Sequence, residues 1–191
     1  RVFTDAELRQ AAKEAGLAAV VDHEVIEQDD QGQQFAQRLM SFRRARVAIY
    51  TNHVTGGWDP TDLGSLNASE ELVVRTAEAW ARAGHGVLVF QNTAKPEWAA
   101  SSKLVQMHNG VGYKPREAPL PDDLDVLVLF KTLDHSDHPA RARIFWSCDL
   151  PEYQGGGAAY LPPVVAERLD KVVCISDWHR QKVVEACPWV P

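Results

Sequence analysis

Between residues 52 and 66 the chain reads "NHVTGGWDPTDLGSL", and these residue types suit one kind of chemistry, the holding of an anion or polar ligand by open backbone. Gly56, Gly57, Gly64 and Ser65 let a ligand approach main-chain N–H groups without interference from a large side chain. A helix follows at once: Asn67 is a predicted N-cap and Glu70, three residues on, completes a capping box, so the helix begins at Ala68. Helix starts offer free N–H groups and positive potential to anions. For any single glycine a turn is the simpler explanation. The long loop, the glycine cluster and the helix start together favour a site. A second polar cluster, "LDHSDH" at 133–138, presents Asp134, His135, Asp137 and His138, but it has no partner cluster and reads as a solvated turn, so no metal is expected. Ser176-Asp177-Trp178-His179 reads as a strand end entering a helix capped by Ser176.

The elements that must position these residues alternate. "RVAIYT" (46–51), "GVLVFQ" (86–91), "DVLVLFK" (125–131), "ARIFWSC" (142–148) and "KVVCIS" (171–176) are nearly continuous apolar runs, as strands buried on both faces should be. Helices are predicted over 68–83, about 162–169 and 177–187. In the first, Leu72, Val73, Ala77, Trp80 and Ala81 form one stripe, with Gly84 as the stop. Strands alternating with helices predict an α/β fold, a parallel sheet covered on both faces. The loop after "RVAIYT" is far longer than the ~2–6 residues usual between strand and helix, and it lies at the carboxyl end of a strand, where open α/β sheets bind ligands. A nicotinamide-dependent oxidoreductase fits less well, because no GxGxxG follows the first strand and the second ends in Gln91-Asn92 rather than an acidic residue.

Composition narrows the classes. With 191 residues, 45% of them hydrophobic, the chain can bury a core, and residues 1–45 read as an appendage before a domain over 46–191. In that appendage, "FTDAELRQAAKEAGL" predicts a helix, "AAVVDHEVI" (18–26) a strand, and the Gln-rich 27–39 a linker or weak helix. A net charge of −6 argues against nucleic acid as a partner. The apolar runs are too short for a membrane span, which leaves peripheral membrane contact open. Cys148, Cys174 and Cys187 lack CxxC spacing and suggest a reducing, cytoplasmic setting. The start on Arg and the end on "PWVP" lead us to expect a fragment of a longer chain.

Three blocks carry a resemblance. "LGSLNASEELVVRTAEAWARAGHGVLVF", "ARIFWSCDLP" and "LDKVVCISDWHRQKVVE" together resemble the amino-terminal domain of GT-B glycosyltransferases of the retaining family-four type, over roughly residues 46–191. The first is similar to the family's "GGSEE…GH-V-V" block, and the last to its "D-x-V-x-x-x-S-x-W-H-R". The resemblance implies a Rossmann-like domain, one half of a GT-B fold. This half would bind a glycan, lipid or protein acceptor, while a second domain holds most of the sugar-nucleotide donor, with no cofactor and no metal. It implies a catalytic and acceptor-side role for Asp149, an acceptor-side role for His53, and a donor-phosphate role for the backbone of the Gly56, Gly57, Gly64 and Ser65 loop. An isolated half should not catalyse transfer. Two departures are plain: Leu66 and Asn67 intervene before the Ser-Glu-Glu, and Cys148 stands where the family often has His. A non-catalytic Rossmann-like binding module is the alternative. Residues 1–45 weakly resemble the tail of a class I methyltransferase.

Overall fold

The computed structural model describes the backbone of residues 19–28 and 34–42, and residues 44–51, 57–92 and 105–190 in full. The chain divides into two compact units, Arg1–Arg44 and Ala45–Pro191. In the first, β1 (Ala19–Gln28) pairs antiparallel with β2 (Gln34–Phe42). The strand expected at 18–26 is there, whereas most of the stretch read as a linker or weak helix is strand. Its Gln-rich sequence carries no alternation to announce it, and the pairing with β1 supplies the hydrogen bonds that its own pattern does not predict. The helix expected near residues 4–16 lies outside the described residues.

The second unit is a Rossmann-like α/β domain built on a seven-stranded mixed sheet with flanking helices. Its strands are β3 (Arg46–Thr51), β4 (Gly86–Gln91), β5 (Gln106–His108), β6 (Val111–Pro115), β7 (Val126–Phe130), β8 (Ala142–Ser147) and β9 (Lys171–Cys174). The order across the sheet is β5-β6-β4-β3-β7-β8-β9. All neighbours are parallel except β5 and β6. Setting β5 aside, the chain builds outward from β3 through β4 to β6, then returns and builds the other way through β7, β8 and β9. This is the doubly wound order, and it creates a switch point between β3 and β7.

The five expected strands are all present. The pair β5–β6 was not anticipated, although the sequence carries its signal: Asn109-Gly110 joins them, with φ of 48° and 81°, the two left-handed residues of a tight hairpin turn. The helix expected at 162–169 is only α3 (Pro163–Ala166), preceded by a short α2 (Gly157–Tyr160). The other two helices, α1 (Ala68–Arg82) and α4 (Asp177–Ala186), form close to expectation.

Pleating divides the sheet's side chains between two layers. Ala48, Tyr50, Phe90, Leu127, Leu129 and Phe145 share one core with Tyr160, Leu161, Ala166, Leu169, Val183 and Cys187, residues from α2 through α4. The alternate positions Val47, Ile49, Val87 and Val89 are also buried, and α1, which packs on β4 and β6, buries Val73, Val74 and Ala77. Continuous apolar strands are thus covered on two sides, as their composition demanded.

The amino edge of the sheet is closed by a repeated device. Asp125 and Asp170 each follow a buried leucine and precede a strand, and their carboxylates accept the N–H of Arg46 (2.9 Å) and Arg143 (2.8 Å) on the neighbouring strand. Return bonds run from the N–H of Asp125 to the carbonyl of Arg46 (3.0 Å) and from that of Asp170 to Arg143 (2.9 Å). The opposite, carboxyl edge carries the longer loops.

Candidate functional site at the carboxyl edge

Parallel strands put all their carboxyl ends on one edge, so the loop after β3 and the loop after β8 both leave the sheet there. The first contains the glycines singled out above. His53 and Gly56 lie outside the described residues, and Gly57 is exposed. Gly64 and Ser65 sit in a single 3-10 turn, Leu63–Ser65. Ser65 is bonded to its own turn: its N–H and its hydroxyl both donate to the Asp62 carbonyl, at 3.0 and 2.9 Å. A Cβ on Gly64 would meet nothing nearer than the Asp62 carboxylate oxygen at 3.6 Å, so the backbone there does stand clear.

The helix start that follows is sealed by its own residues. The Asn67 side chain accepts the N–H groups of Ser69 (2.9 Å) and Glu70 (3.0 Å), and Glu70 returns a carboxylate to the Asn67 N–H (2.9 Å). The expected capping box is complete. Its consequence runs against anion binding: two of the amides are already used, and a buried carboxylate occupies the positive end of the helix.

At the end of β8 the arrangement differs. Asp149 is half-exposed, and its carboxylate meets the Lys131 ammonium at 2.9 Å and the Gln154 amide, which donates at 3.3 Å. Lys131 comes from the end of β7 and is held with φ of 57°, a left-handed conformation that costs a non-glycine residue roughly 1–2 kcal/mol. Its N–H donates to the Trp146 carbonyl at 3.0 Å. The Lys131 side chain is only 14% exposed, against 35% for Asp149, so the pair is partly withdrawn from water and screened less than a surface bridge. Backbone strain of this kind gathers at working edges.

Cys148, beside Asp149, is half-buried. Burial pushes its thiol up to about 11, with Asp149 adding to the rise and Lys131 opposing it. A thiol pushed up in this way is mostly protonated at neutral pH and reacts slowly, so it does not take the place of an imidazole as a base.

Behind Asp149 lies a buried polar cluster. The Asp149 carbonyl accepts from His179 Nε2 at 2.9 Å and from the Tyr160 hydroxyl at 3.2 Å, and the Ser147 hydroxyl bonds to Tyr160. Ser147 Oγ also lies 3.2 Å from His179 Nε2. His179 Nδ1 accepts the Ile175 N–H at 3.4 Å, while the His179 N–H donates to its N-cap, Ser176, at 3.1 Å. Burial pushes the Tyr160 hydroxyl up to about 12.

The "LDHSDH" stretch forms successive turns: Ser136 and His138 donate backbone N–H groups to Leu133 and His135, and His138 Nδ1 accepts from Ala140 at 3.1 Å. His135, also left-handed at φ 64°, sets its ring edge-on to Tyr50 with centroids 4.5 Å apart. Among the described residues no group of three or more His, Cys, Asp or Glu could hold a metal ion. Among them also, no helix is long and apolar enough to cross a membrane. Trp146 is half-buried, edge-on to Phe130 at 5.1 Å.

Asp149 was legible in the sequence through its motif, and Ser176 through its capping position. Lys131 was missed, although a polar residue ending an apolar strand at the carboxyl edge is a detectable signal. Ser147 and Tyr160 had no such signal. Searches of known proteins found no matching family model, no matching curated protein and no matching solved structure. Fold and edge together define a Rossmann-like α/β domain whose candidate site centres on Lys131 and Asp149.

Proposed function

We propose that residues 46–191 serve as the acceptor-side domain of a retaining sugar-nucleotide glycosyltransferase, with Asp149 as the residue that meets the acceptor. The observation that carries the reading is the Lys131–Asp149 pair at the carboxyl edge, beside the switch point where doubly wound folds bind ligands. A carboxylate there accepts a hydrogen bond from a sugar hydroxyl and orients it. Lys131, 2.9 Å away, holds the carboxylate in place. The glycan, lipid or protein acceptor would lie along this edge, and the donor's diphosphate would fall mainly to a second domain. Gly57 and Gly64 remain the positions where the backbone of this half is open to the donor. Ser65 contributes less, since both its donors are engaged.

A second reading, a Rossmann-like module that binds a saccharide without catalysing transfer, is favoured by two observations: the half-buried Cys148 thiol in place of a histidine, and the sealed start of α1. Titration separates the two in part. In amide NMR spectra of the chain, simple methyl glycosides should shift the Lys131 and Asp149 signals, and Asp149→Asn should abolish the shifts. UDP- and GDP-sugars should give no micromolar binding by calorimetry. Micromolar binding of either nucleotide sugar would reverse the domain roles, and saccharides that leave Lys131 and Asp149 undisturbed would end the acceptor reading.

A further inference from the structure

We infer that His179 is a positioning residue for Asp149, a buried strut through which the start of α4 fixes the loop that presents the Asp149 carboxylate. The geometry dictates the ring's protonation pattern. A backbone N–H can only donate, so the Ile175 N–H at 3.4 Å requires a bare Nδ1. A carbonyl can only accept, so the Asp149 oxygen at 2.9 Å requires the proton on Nε2. Each ring nitrogen therefore faces a partner it can satisfy, with the Ser147 hydroxyl also 3.2 Å from Nε2, and the ring is 1% exposed. The neighbouring hydroxyls converge on the same carbonyl: Tyr160 donates to it at 3.2 Å, Ser147 Oγ lies within donating distance at 3.4 Å and also bonds to Tyr160, and His179 donates to it at 2.9 Å. That oxygen thus meets donors from α2 and α4 as well as the Ser147 hydroxyl at the end of β8.

Seating the ring depends on the spacing Ser-x-x-His. Ser176 caps α4 and receives the N–H of His179, which fixes the first turn and projects the ring back over Ile175. The carbonyl of Asp149 is held, and the carboxylate is left to Lys131 and Gln154. The functional weight of this inference rests on Asp149 being the working carboxylate. The measurements below read the loop itself, so failure of the glycosyltransferase reading would leave them intact.

Asparagine and glutamine at position 179 separate the two nitrogens. The Asn oxygen falls near Nδ1 and keeps the Ile175 bond without the bond to Asp149, whereas the Gln amide nitrogen reaches the place of Nε2 and keeps the bond to Asp149. Cys148 is the built-in reporter beside Asp149, and Cys187, fully buried near the end of α4, reports loss of the helix as a whole. In the full chain, iodoacetamide labelling read by peptide-resolved mass spectrometry should show Cys148 reacting about tenfold faster in His179→Asn, in keeping with one lost buried hydrogen bond, with Cys187 unchanged. His179→Gln should stay within about twofold of the parent. Long-range proton–nitrogen spectra of the parent should show the Nε2–H tautomer. Equal behaviour of the two variants, Cys187 rising in step with Cys148, or an Nδ1–H tautomer would each overturn the inference. If His179→Asn does not fold, Tyr160→Phe removes another donor to the same carbonyl and should raise Cys148 labelling in the same direction. If neither folds, the parent tautomer decides.

Discussion

The helices α1 and α4 begin by the same rule and use it for different ends. Each has a polar N-cap, Asn67 or Ser176, and each has a buried residue three positions on, Glu70 or His179. Glu70 turns back onto the Asn67 N–H, so the first turn of α1 closes on itself and asks nothing of the rest of the chain. His179 leaves its capping turn and reaches a carbonyl 30 residues earlier in sequence, so the first turn of α4 is tied to the loop of another strand. The lesson is that the third helical position can serve either the helix or the site. A self-closed start stabilises only its helix, whereas an outward-reaching one ties the helix's position to the loop that carries Asp149.

The sharpest way to break this comparison is at the seat of α4. A Cβ at Gly157 would lie 2.6 Å from the Ala186 carbonyl oxygen, a backbone atom that cannot swing aside. Gly157→Ala should therefore cost about 1–3 kcal/mol in urea denaturation, even though alanine is otherwise the better helix former. A neutral or stabilising result would mean that α4 is free to shift, and that it cannot hold Asp149 as described.

Removing the two caps sharpens it further. Asn67→Ala and Ser176→Ala should each cost about 1 kcal/mol. Only Ser176→Ala should also speed the labelling of Cys148, because only that cap seats a residue bonded to the Asp149 loop. The costs should add in the double variant to within about 0.5 kcal/mol, since the sites share no partner. Cys148 labelling that rises after Asn67→Ala would show that the two starts are coupled.

Alkaline pH tests the β8 side without substitution. Burial raises Cys148 from the ordinary 9.0 to about 11 and Tyr160 from 10.0 to about 12. Both groups stay protonated longer in the folded chain than in the unfolded one. Their contribution to stability is thus whole below about pH 9 and is lost as pH rises through about 11 to 12, where the unfolded state binds fewer protons. Urea midpoints should fall across that window, and Cys148→Ser should flatten its lower part. A midpoint indifferent to pH between 9 and 11 would contradict the burial of the thiol.

The smallest effect belongs to Gly64→Ala, the same substitution as at Gly157 but on the α1 side. With only an ordinary contact at 3.6 Å and no left-handed backbone, it should change stability by less than about 0.5 kcal/mol. A loss above 1 kcal/mol would show that this glycine serves the fold, and would remove the reason for placing a ligand there.

Part of this architecture can be read before any coordinates. The alternation of apolar runs and amphipathic stretches predicts the doubly covered parallel sheet, and the spacing Asn67 to Glu70 predicts the capping box, because both depend on neighbours at fixed covalent distance. The Asn109-Gly110 turn belongs to the same local class and could have been read there. What the tertiary structure alone decided is which of these ends gathers the polar groups of the candidate site. The amides of Ser69 and Glu70 at the α1 start, open to an anion by sequence, are taken by Asn67. Asp149, one acid among many by sequence, gains Lys131 from the neighbouring strand and three buried polar groups, Ser147, Tyr160 and His179, behind it. Those partners converge because β7, β8 and β9 lie side by side and parallel. No spacing along the chain encodes that convergence, since the energy of such contacts depends on where the sheet brings distant residues rather than on how far apart they stand in sequence.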